Sequence, residues 1–133
     1  MINKSKKILS EISVGELLDK ISILEIKLNK IKNQNSQKEI KKEYNLLKKT
    51  KNLNIKGTVK IKELTKKLKM INLRLWGIED KIRICEKNKD FSKVFIKLAR
   101  NVYLNNDHRA QTKSKINQLY GSNIREIKQY DKY

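Results

Sequence analysis

Hydrophobic residues recur along this chain at the three- and four-residue intervals that are typical of amphipathic helices. In the longest such run, the apolar positions from Ile61 to Cys85 follow one another at spacings of 3, 4, 3, 4, 3, 4 and 3. Strict heptad spacing over this length predicts one long helix that packs in the manner of a coiled coil. Because Cys85 occupies the last position of the run, we expect a small buried hydrophobe there rather than a reactive thiol.

Two shorter helices are predicted before this run. Ser13 and Glu16 form a capping-box pattern, in which each side chain can satisfy a free backbone N–H group. An apolar run at spacings of 4, 3, 4 and 3 follows, made of Leu17, Ile21, Leu24, Leu28 and Ile31. A second capping pattern, Ser36 with Glu39, predicts a helix that turns Ile40, Tyr44 and Leu47 inward. Residues 50–57 are polar and lack a period, which predicts a loop.

A fourth helix is predicted after the break in EKNKD, with Asp90 as its cap. Its stripe holds Phe91, Phe95, Leu98 and Val102, then the polar residues Asn105, Arg109 and Thr112, then Ile116 and Leu119. Gly121 suits a left-handed helix C-cap. The pattern predicts an all-α fold, an antiparallel bundle of about four helices built around a long helical hairpin. We expect one helical domain over residues 1–121 and a loosely ordered tail over residues 122–133.

The high positive charge of the chain raises the possibility of nucleic-acid or membrane partners. The 133 residues carry a formal net charge of +19, and only five of the 33 basic residues are arginine. Such a field attracts nucleic acid or anionic membrane at low salt. The chain is also rich in isoleucine and asparagine, however, and an AT-rich coding bias alone would raise its lysine content. No helix-turn-helix, zinc-finger or RNA-recognition signature is present, so nonspecific nucleic-acid binding stays an alternative hypothesis.

The sequence argues against membrane-spanning and secreted proteins. No apolar run approaches the roughly 20 residues that span a bilayer, so we expect no membrane span. The basic N-terminus lacks the apolar stretch of a secretory signal. A single cysteine cannot form an internal disulfide, and we expect a cytoplasmic protein.

A polar stripe runs beside the apolar stripe of the third predicted helix. If the chain turns near residues 88–90, Glu79 lies level with Arg100 across the hairpin, Trp76 with Tyr103, and Asn72 with Asp107. The polar interruption of the fourth helix then lies beside this stripe. The candidate ligand-binding residues are Asn72, Trp76, Glu79, Asp80, Arg83, Arg100, Tyr103, Asn106, Asp107, Arg109 and Lys113.

Two interpretations of these residues stay open. Glu79–Arg100 and Asp80–Arg83 ion pairs, with the amides, could form a purely structural network that fixes helix register. Alternatively the arginines and Lys113 would hold an anion, the acids and amides would bind hydroxyls, and Trp76 or Tyr103 would supply a stacking surface. We expect no cofactor and no metal, and we expect the only histidine, His108, to lie at the surface.

Several segments resemble a known family. EISVGELLDKISILEIKL, LWGIEDKIR, DFSKVFIKLARNVYLNNDHRA and KSKIN are similar to short bacterial all-helical proteins of unknown function, over residues 11–121. The pattern from Asn72 to Arg83 is similar to a second uncharacterised helical family, which favours Arg-Asn-Asp where this chain has Asn105-Asn106-Asp107. Members of these families occur with glycosyltransferases of surface-polysaccharide synthesis, or are fused to them. The resemblance implies a role near nucleotide sugars or glycans, and it implies no catalytic residue.

The leading hypothesis is therefore a non-catalytic accessory or binding protein linked to cell-envelope polysaccharide. Because the apolar run of the third helix is long, we also expect a homodimer. The alternative is a small all-α enzyme that acts on a phosphorylated or carboxylated metabolite. Glu79, Asp80 and Glu86 partly match the magnesium-binding acids of helical nucleotide pyrophosphatases, but the paired Glu-x-x-Glu signature is missing. LLDKISILEIKL is faintly similar to helical chorismate mutases, without a further motif.

Overall fold

Four helices follow one another in the computed structural model, which describes residues 6–133. They are α1 (Val14–Lys30), α2 (Gln34–Asn54), α3 (Val59–Lys87) and α4 (Lys93–Tyr120). The residues described contain no β-strand, so the predicted all-α fold is confirmed. The expectation that there is no secretory signal rests partly on residues 1–5, which lie outside the described residues.

Helix α1 begins where the capping pattern predicts. The Ser13 hydroxyl accepts a hydrogen bond from the backbone N–H of Glu16 at 3.2 Å. The Glu16 carboxylate does not return this contact, since it accepts a hydrogen bond from Lys113 Nζ at 2.6 Å. Half of the predicted capping box therefore forms, and the other half is replaced by an ion pair between α1 and α4.

Helix α2 is longer at both ends than the sequence predicts. Its N-cap is Asn33, whose Oδ1 accepts a hydrogen bond from the N–H of Ser36 at 3.0 Å, so Ser36 lies inside the helix. The predicted loop over residues 50–57 is wrong for residues 50–54, because α2 continues to Asn54, and right for residues 55–57, which connect α2 to α3. The side chains of Thr50 and Asn54 donate to carbonyl groups four residues earlier, and in this way polar residues complete the last turns.

The two long helices form the predicted hairpin. Thr58 caps α3 through a hydrogen bond from the N–H of Ile61. Ser92, rather than the predicted Asp90, is the N-cap residue of α4. Asp90 accepts from the N–H of Ser92 at 3.0 Å and so stabilises the turn, and this bonding with Ser92 lowers the pKa of Asp90. Gly121 ends α4 in the left-handed conformation (φ 59°), as predicted.

Helix α1 packs against each of the other three helices, and α3 packs against α4. The core consists of Leu18, Ile61, Leu64, Leu68 and Ile116. In the predicted apolar run of α3, Ile71 and Cys85 are also buried, whereas Leu75, Ile78 and Ile82 are only partly buried. Helix α2 has no buried residue and lies against α1. The bundle thus has a three-helix core of α1, α3 and α4, and α2 covers one side of α1.

The C-terminal tail, residues 122–133, has no regular secondary structure and runs back along α4. Ser122 contacts Asn117, Glu126 contacts Lys113, and the Tyr133 hydroxyl donates to the Asp107 carboxylate. The expectation that this tail is loosely ordered stays a prediction. None of the helices in residues 6–133 combines the length and hydrophobicity that a bilayer span needs.

Candidate functional site

A buried carboxylate, Asp19 of α1, lies at the centre of the three-helix core. Its side chain is 1% exposed. Arg109 of α4 donates to it through Nε at 3.0 Å and through Nη2 at 2.5 Å, and Asn72 of α3 donates at 2.7 Å. Ser22 accepts a second hydrogen bond from the same Asn72 amide at 2.8 Å. One acid therefore joins all three core helices, and its negative charge is compensated by a two-point contact with the guanidinium group.

Lys113 extends this network toward the tail. Its ammonium group lies 2.6 Å from Glu16, 3.1 Å from Glu126 and 3.6 Å from Asp19. Burial alone lowers the pKa of Lys113, but the hydrogen bond to Glu16 and the charge of Asp19 outweigh it, so the net pKa is raised. The hydrogen bond with Asp19 likewise raises the pKa of Arg109. Both cations stay charged, and they fix α4 and the tail against α1.

Helix α1 approaches α4 closely because residue 15 is a glycine. The N–H of Gly15 donates to Oδ1 of Asn117 at 2.7 Å. A Cβ atom at this position would lie 2.7 Å from the Lys113 carbonyl oxygen and 2.9 Å from Asn117 Oδ1. No side chain fits at these distances, and the close approach is what brings Glu16 and Asp19 within reach of Lys113 and Arg109.

An open cavity of about 490 Å³ lies next to this network, between α1, α3 and α4. Two aliphatic side chains of α1, Ile23 and Ile26, form part of its wall. The remaining lining residues are Asn72, Leu75, Trp76, Glu79, Asp80, Arg83, Asn106 and Arg109. The cavity combines an indole ring, two acids, two amides and two guanidinium groups, a mixture that suits a ligand with both hydroxyl groups and an apolar face.

Part of the polar lining is already paired. Arg83 lies 3.5 Å from Glu79, four residues away on the same helix, and both side chains are well exposed. Arg109 uses Nε and Nη2 for Asp19. Its Nη1 donates to no residue within the described part of the chain. Asn106 and Arg109 also line another cavity, which lies between α4 and the tail.

The structure brings most of the predicted site residues together in this cavity. Those that line it are Asn72, Trp76, Glu79, Asp80, Arg83, Asn106 and Arg109. Tyr103 and Asp107 instead line a second cavity of about 540 Å³ between α4 and the tail, with Tyr130 and Tyr133. Lys113 lies in the ion-pair network beneath, and Arg100 is exposed on α4 outside both cavities.

The contacts across the hairpin differ from the suggested pairs. Glu79 contacts Arg83 rather than Arg100. Asn72 donates to Asp19 and Ser22 of α1, whereas Asp107 accepts from Tyr133 of the tail. The polar stripe of α3 is thus directed toward α1 as well as toward α4, and α1 was not part of the sequence prediction.

The sequence did not predict that three residues of α1 belong to this network: Glu16, Asp19 and Ser22. A signal for two of them exists, because Gly15, Asp19 and Ser22 are spaced 4 and 3 apart, on a line next to the apolar stripe. A line of small and polar residues at helical spacing indicates a close polar helix contact. Glu126 had no comparable signal, since the tail lacks periodicity.

Two predictions about single side chains are confirmed. Cys85 is buried and free, and His108 is exposed, as predicted. Among residues 6–133 no group of three or more His, Cys, Asp or Glu side chains is arranged to hold a metal ion.

Comparison with known proteins gives one result. A family model matches residues 8–133, and its description is "Family of unknown function (DUF6165)". The matched region includes all four helices and the tail. Searches of curated proteins and of solved structures gave no match.

Proposed function

The chain belongs to the Family of unknown function (DUF6165), and we propose that it is a non-catalytic binding protein for a small polar ligand that contains a sugar. The ligand would occupy the cavity between α1, α3 and α4. The observation that carries this proposal is the position of Trp76, the only tryptophan of the chain, among acids, amides and arginines in that cavity.

The chemistry of a sugar fits this lining. The C–H face of a pyranose packs on an aromatic ring, and Trp76 offers the largest such surface. Hydroxyl groups both donate and accept, so they match the carboxylates of Glu79 and Asp80 and the amide of Asn106. Asn72 offers only its amide oxygen, because its NH2 group donates to Asp19 and Ser22. The volume of about 490 Å³ lies within the roughly 300–1,000 Å³ of typical small-molecule sites.

An anionic group on the ligand would find positive partners at one side of the cavity. Arg83 is held only by an exposed ion pair with Glu79 at 3.5 Å, and such pairs are weak, so an incoming phosphate can replace it. Arg109 is held in place by Asp19 and can donate a hydrogen bond to the ligand through Nη1. A nucleotide sugar combines the sugar and the anion, and this agrees with the role in bacterial cell-envelope polysaccharide assembly that the resemblance implies.

Binding, rather than catalysis, is the function that these groups support best. The arginines of the cavity are engaged with acids, which suits them to hold a ligand in place. The alternative hypothesis of an enzyme for a phosphorylated or carboxylated metabolite would use the same cavity. We place the protein in the cytoplasm, where the free thiol of Cys85 would stay reduced.

We also propose self-association through the tip of the α3–α4 hairpin. Ile84, Phe91, Val94 and Ile96 are 57%, 54%, 58% and 54% exposed there. Apolar side chains grouped at one end of a molecule are typical of contact surfaces.

Tryptophan fluorescence tests the binding function directly, because Trp76 is the only indole. The probes are a uridine-diphosphate hexose, the free hexose and inorganic phosphate, each titrated at constant ionic strength. We expect a saturable change with the nucleotide sugar. Arg83→Ala should weaken binding about tenfold, as expected for loss of a charge-assisted hydrogen bond.

Arg74→Ala is the matched control, because Arg74 lies on the same helix and outside this cavity. It should leave the affinity unchanged. An equal loss in both variants would mean that the probe responds to net charge alone. A flat titration with every sugar-containing probe would overturn the proposed function, and turnover of a probe would support the enzyme instead.

A further inference from the structure

A groove of about 330 Å³ between α2 and α3 is lined by five lysines. They are Lys48 and Lys51 of α2 and Lys62, Lys66 and Lys69 of α3. The rest of the wall includes the apolar side chains of Leu18, Ile21 and Ile61. The groove shares no lining residue with the Trp76 cavity, so the two are separate features of the surface.

The lysines form two rows. Lys62, Lys66 and Lys69 are spaced 4 and 3 apart, which aligns them along one side of α3 over about 10 Å. Lys48 and Lys51 are three apart and lie on α2. Because both rows line the same groove, five positively charged side chains border one small volume. That arrangement is costly without counterions, since each charge repels the others.

Acidic residues do little to relieve this repulsion. Glu25 is the one acid that lines the groove, and it lies 3.9 Å from Lys69. The other four lysines have no carboxylate within 4.0 Å among the residues that the structure describes. The sequence offers acids on both helices, such as Glu43 on α2 and Glu63 on α3, but neither lines the groove.

Lys51 shows the consequence of this crowding. Its pKa is lowered, first by burial and then by the positive charge of Lys48, with a smaller contribution from Lys62. Glu25 opposes the shift without cancelling it. A lysine whose charge is disfavoured by neighbouring lysines gains stability when an anion arrives. The groove therefore has the electrostatics of an anion site.

We propose that this lysine groove binds a small anion that carries two or more phosphate groups. The five lysines and one glutamate of the groove leave more positive charge than a single phosphate, with at most about two negative charges, would neutralise. The length of the α3 row suits two or three linked phosphates. Lysine ammonium groups act as point charges that contact phosphate oxygens from several directions. Because the groove is short and is bounded by two helices, a compact oligophosphate fits it better than an extended nucleic-acid strand.

Thermal unfolding and calorimetry with inorganic tripolyphosphate test the proposal. At constant ionic strength, saturating tripolyphosphate should raise the melting temperature by about 3–5 °C, since a ligand that binds the folded state stabilises it. Sulfate should produce a much smaller shift. The double variant Lys48→Met, Lys66→Met should bind at least about tenfold more weakly, because it removes one charge from each row.

The control is Lys41→Met, Lys81→Met, which removes the same charge from the same two helices outside the groove. It should bind tripolyphosphate as the unchanged protein does. Equal weakening in both double variants would overturn the proposal, because only the overall field of +19 would then matter. A single-stranded oligonucleotide that binds more tightly than tripolyphosphate, with the same loss in the groove variant, would overturn it in favour of nucleic acid.

A second test begins with a measurement made without ligand. Lys51→Met should raise the melting temperature of the protein without added anion, because it removes a partly buried charge that its neighbours disfavour. Tripolyphosphate should then shift this variant less than it shifts the unchanged protein. A lower melting temperature without anion would contradict the claim that the groove is under electrostatic strain. Failure of any of these tests leaves the Trp76 cavity, and its fluorescence assay, unaffected.

Discussion

Arg109 of α4 holds the buried carboxylate of Asp19 in α1 through two nitrogen atoms, Nε at 3.0 Å and Nη2 at 2.5 Å. The same arginine lines the Trp76 cavity. The contact therefore joins the packing of the core to the geometry of the candidate site. Since Asn72 also binds Asp19 and also lines the cavity, two lining residues owe their positions to one carboxylate.

Replacement of Asp19 should lower the free energy of unfolding more than replacement of any exposed acid. Asp19→Asn keeps the shape of the side chain but leaves Arg109 without its partner, and breaking a buried pair in this way costs about 3–5 kcal/mol. Urea unfolding followed by circular dichroism measures the loss. The matched control is Glu79→Gln, whose pair with Arg83 is exposed and should contribute at most about 1 kcal/mol. Equal costs for the two variants would contradict the central role of Asp19.

Two glycines in helices should respond to alanine in opposite directions. Gly15→Ala places a Cβ atom 2.7 Å from the Lys113 carbonyl oxygen and must push α1 away from α4, at a cost of about 1–3 kcal/mol. Gly77→Ala meets nothing within 4 Å in the middle of α3. It should stabilise the protein by about 0.5–1 kcal/mol, because alanine favours the helical conformation. Stabilisation by both substitutions would mean that α1 does not approach α4 this closely.

The sequence predicted those parts of the fold that depend on periodicity. The apolar run from Ile61 to Cys85 became the packing surface of α3, and Gly121 ended α4 as predicted. The predicted start of α2 was wrong because Asn33 and Ser36 are both acceptable N-cap residues, and a local pattern does not choose between them. Thr50 and Asn54, which suggested a loop, bond back to the helix instead.

The candidate site was only partly predictable for a similar reason. Sequence periodicity places residues such as Trp76 and Asp80 on one face of a helix, but it does not say which neighbour that face meets. The predicted pairs assumed that residues at equal distances from the hairpin tip face each other, which involves only α3 and α4. The acid that organises the site, Asp19, comes from α1, and its partner Arg109 is 90 residues away. Long-range pairing of this kind depends on the packing of all three helices.

Self-association should depend on the tip of the α3–α4 hairpin. We expect light scattering to give the mass of a dimer at micromolar concentration, and Val94→Glu to convert it to a monomer, because a charge cannot be buried in an apolar contact without a partner. Leu53→Glu is the control, since Leu53 is similarly exposed at 75% on α2, away from the tip. A monomer mass for the unchanged protein would refute the dimer.

Attachment of the tail should depend on pH through Glu126 and Lys113. The hydrogen bond from Lys113 lowers the pKa of Glu126 below its ordinary value of 4.5. A carboxyl group with a lowered pKa stabilises the folded form above its unfolded pKa, and the effect is lost as the pH falls through the folded value. The pKa of Lys113 is shifted in the opposite direction, upward. Its contribution to stability is therefore fully present below the ordinary lysine pKa of 10.5 and is lost only as the pH rises through the higher pKa of the folded state. The ion pair should therefore hold the tail against α4 at every pH between the pKa of Glu126 and the pKa of Lys113.

Nuclear magnetic resonance can follow this release. As the pH falls well below 4.5, signals of the tail should shift to those of a flexible chain, while circular dichroism shows that the helices persist. Glu126→Gln keeps the size of the side chain but removes its charge. In this variant the tail should already be more mobile near neutral pH, and its signals should lose the acid transition. An unchanged acid transition in Glu126→Gln would show that another group, such as Asp107 beneath Tyr133, controls the tail.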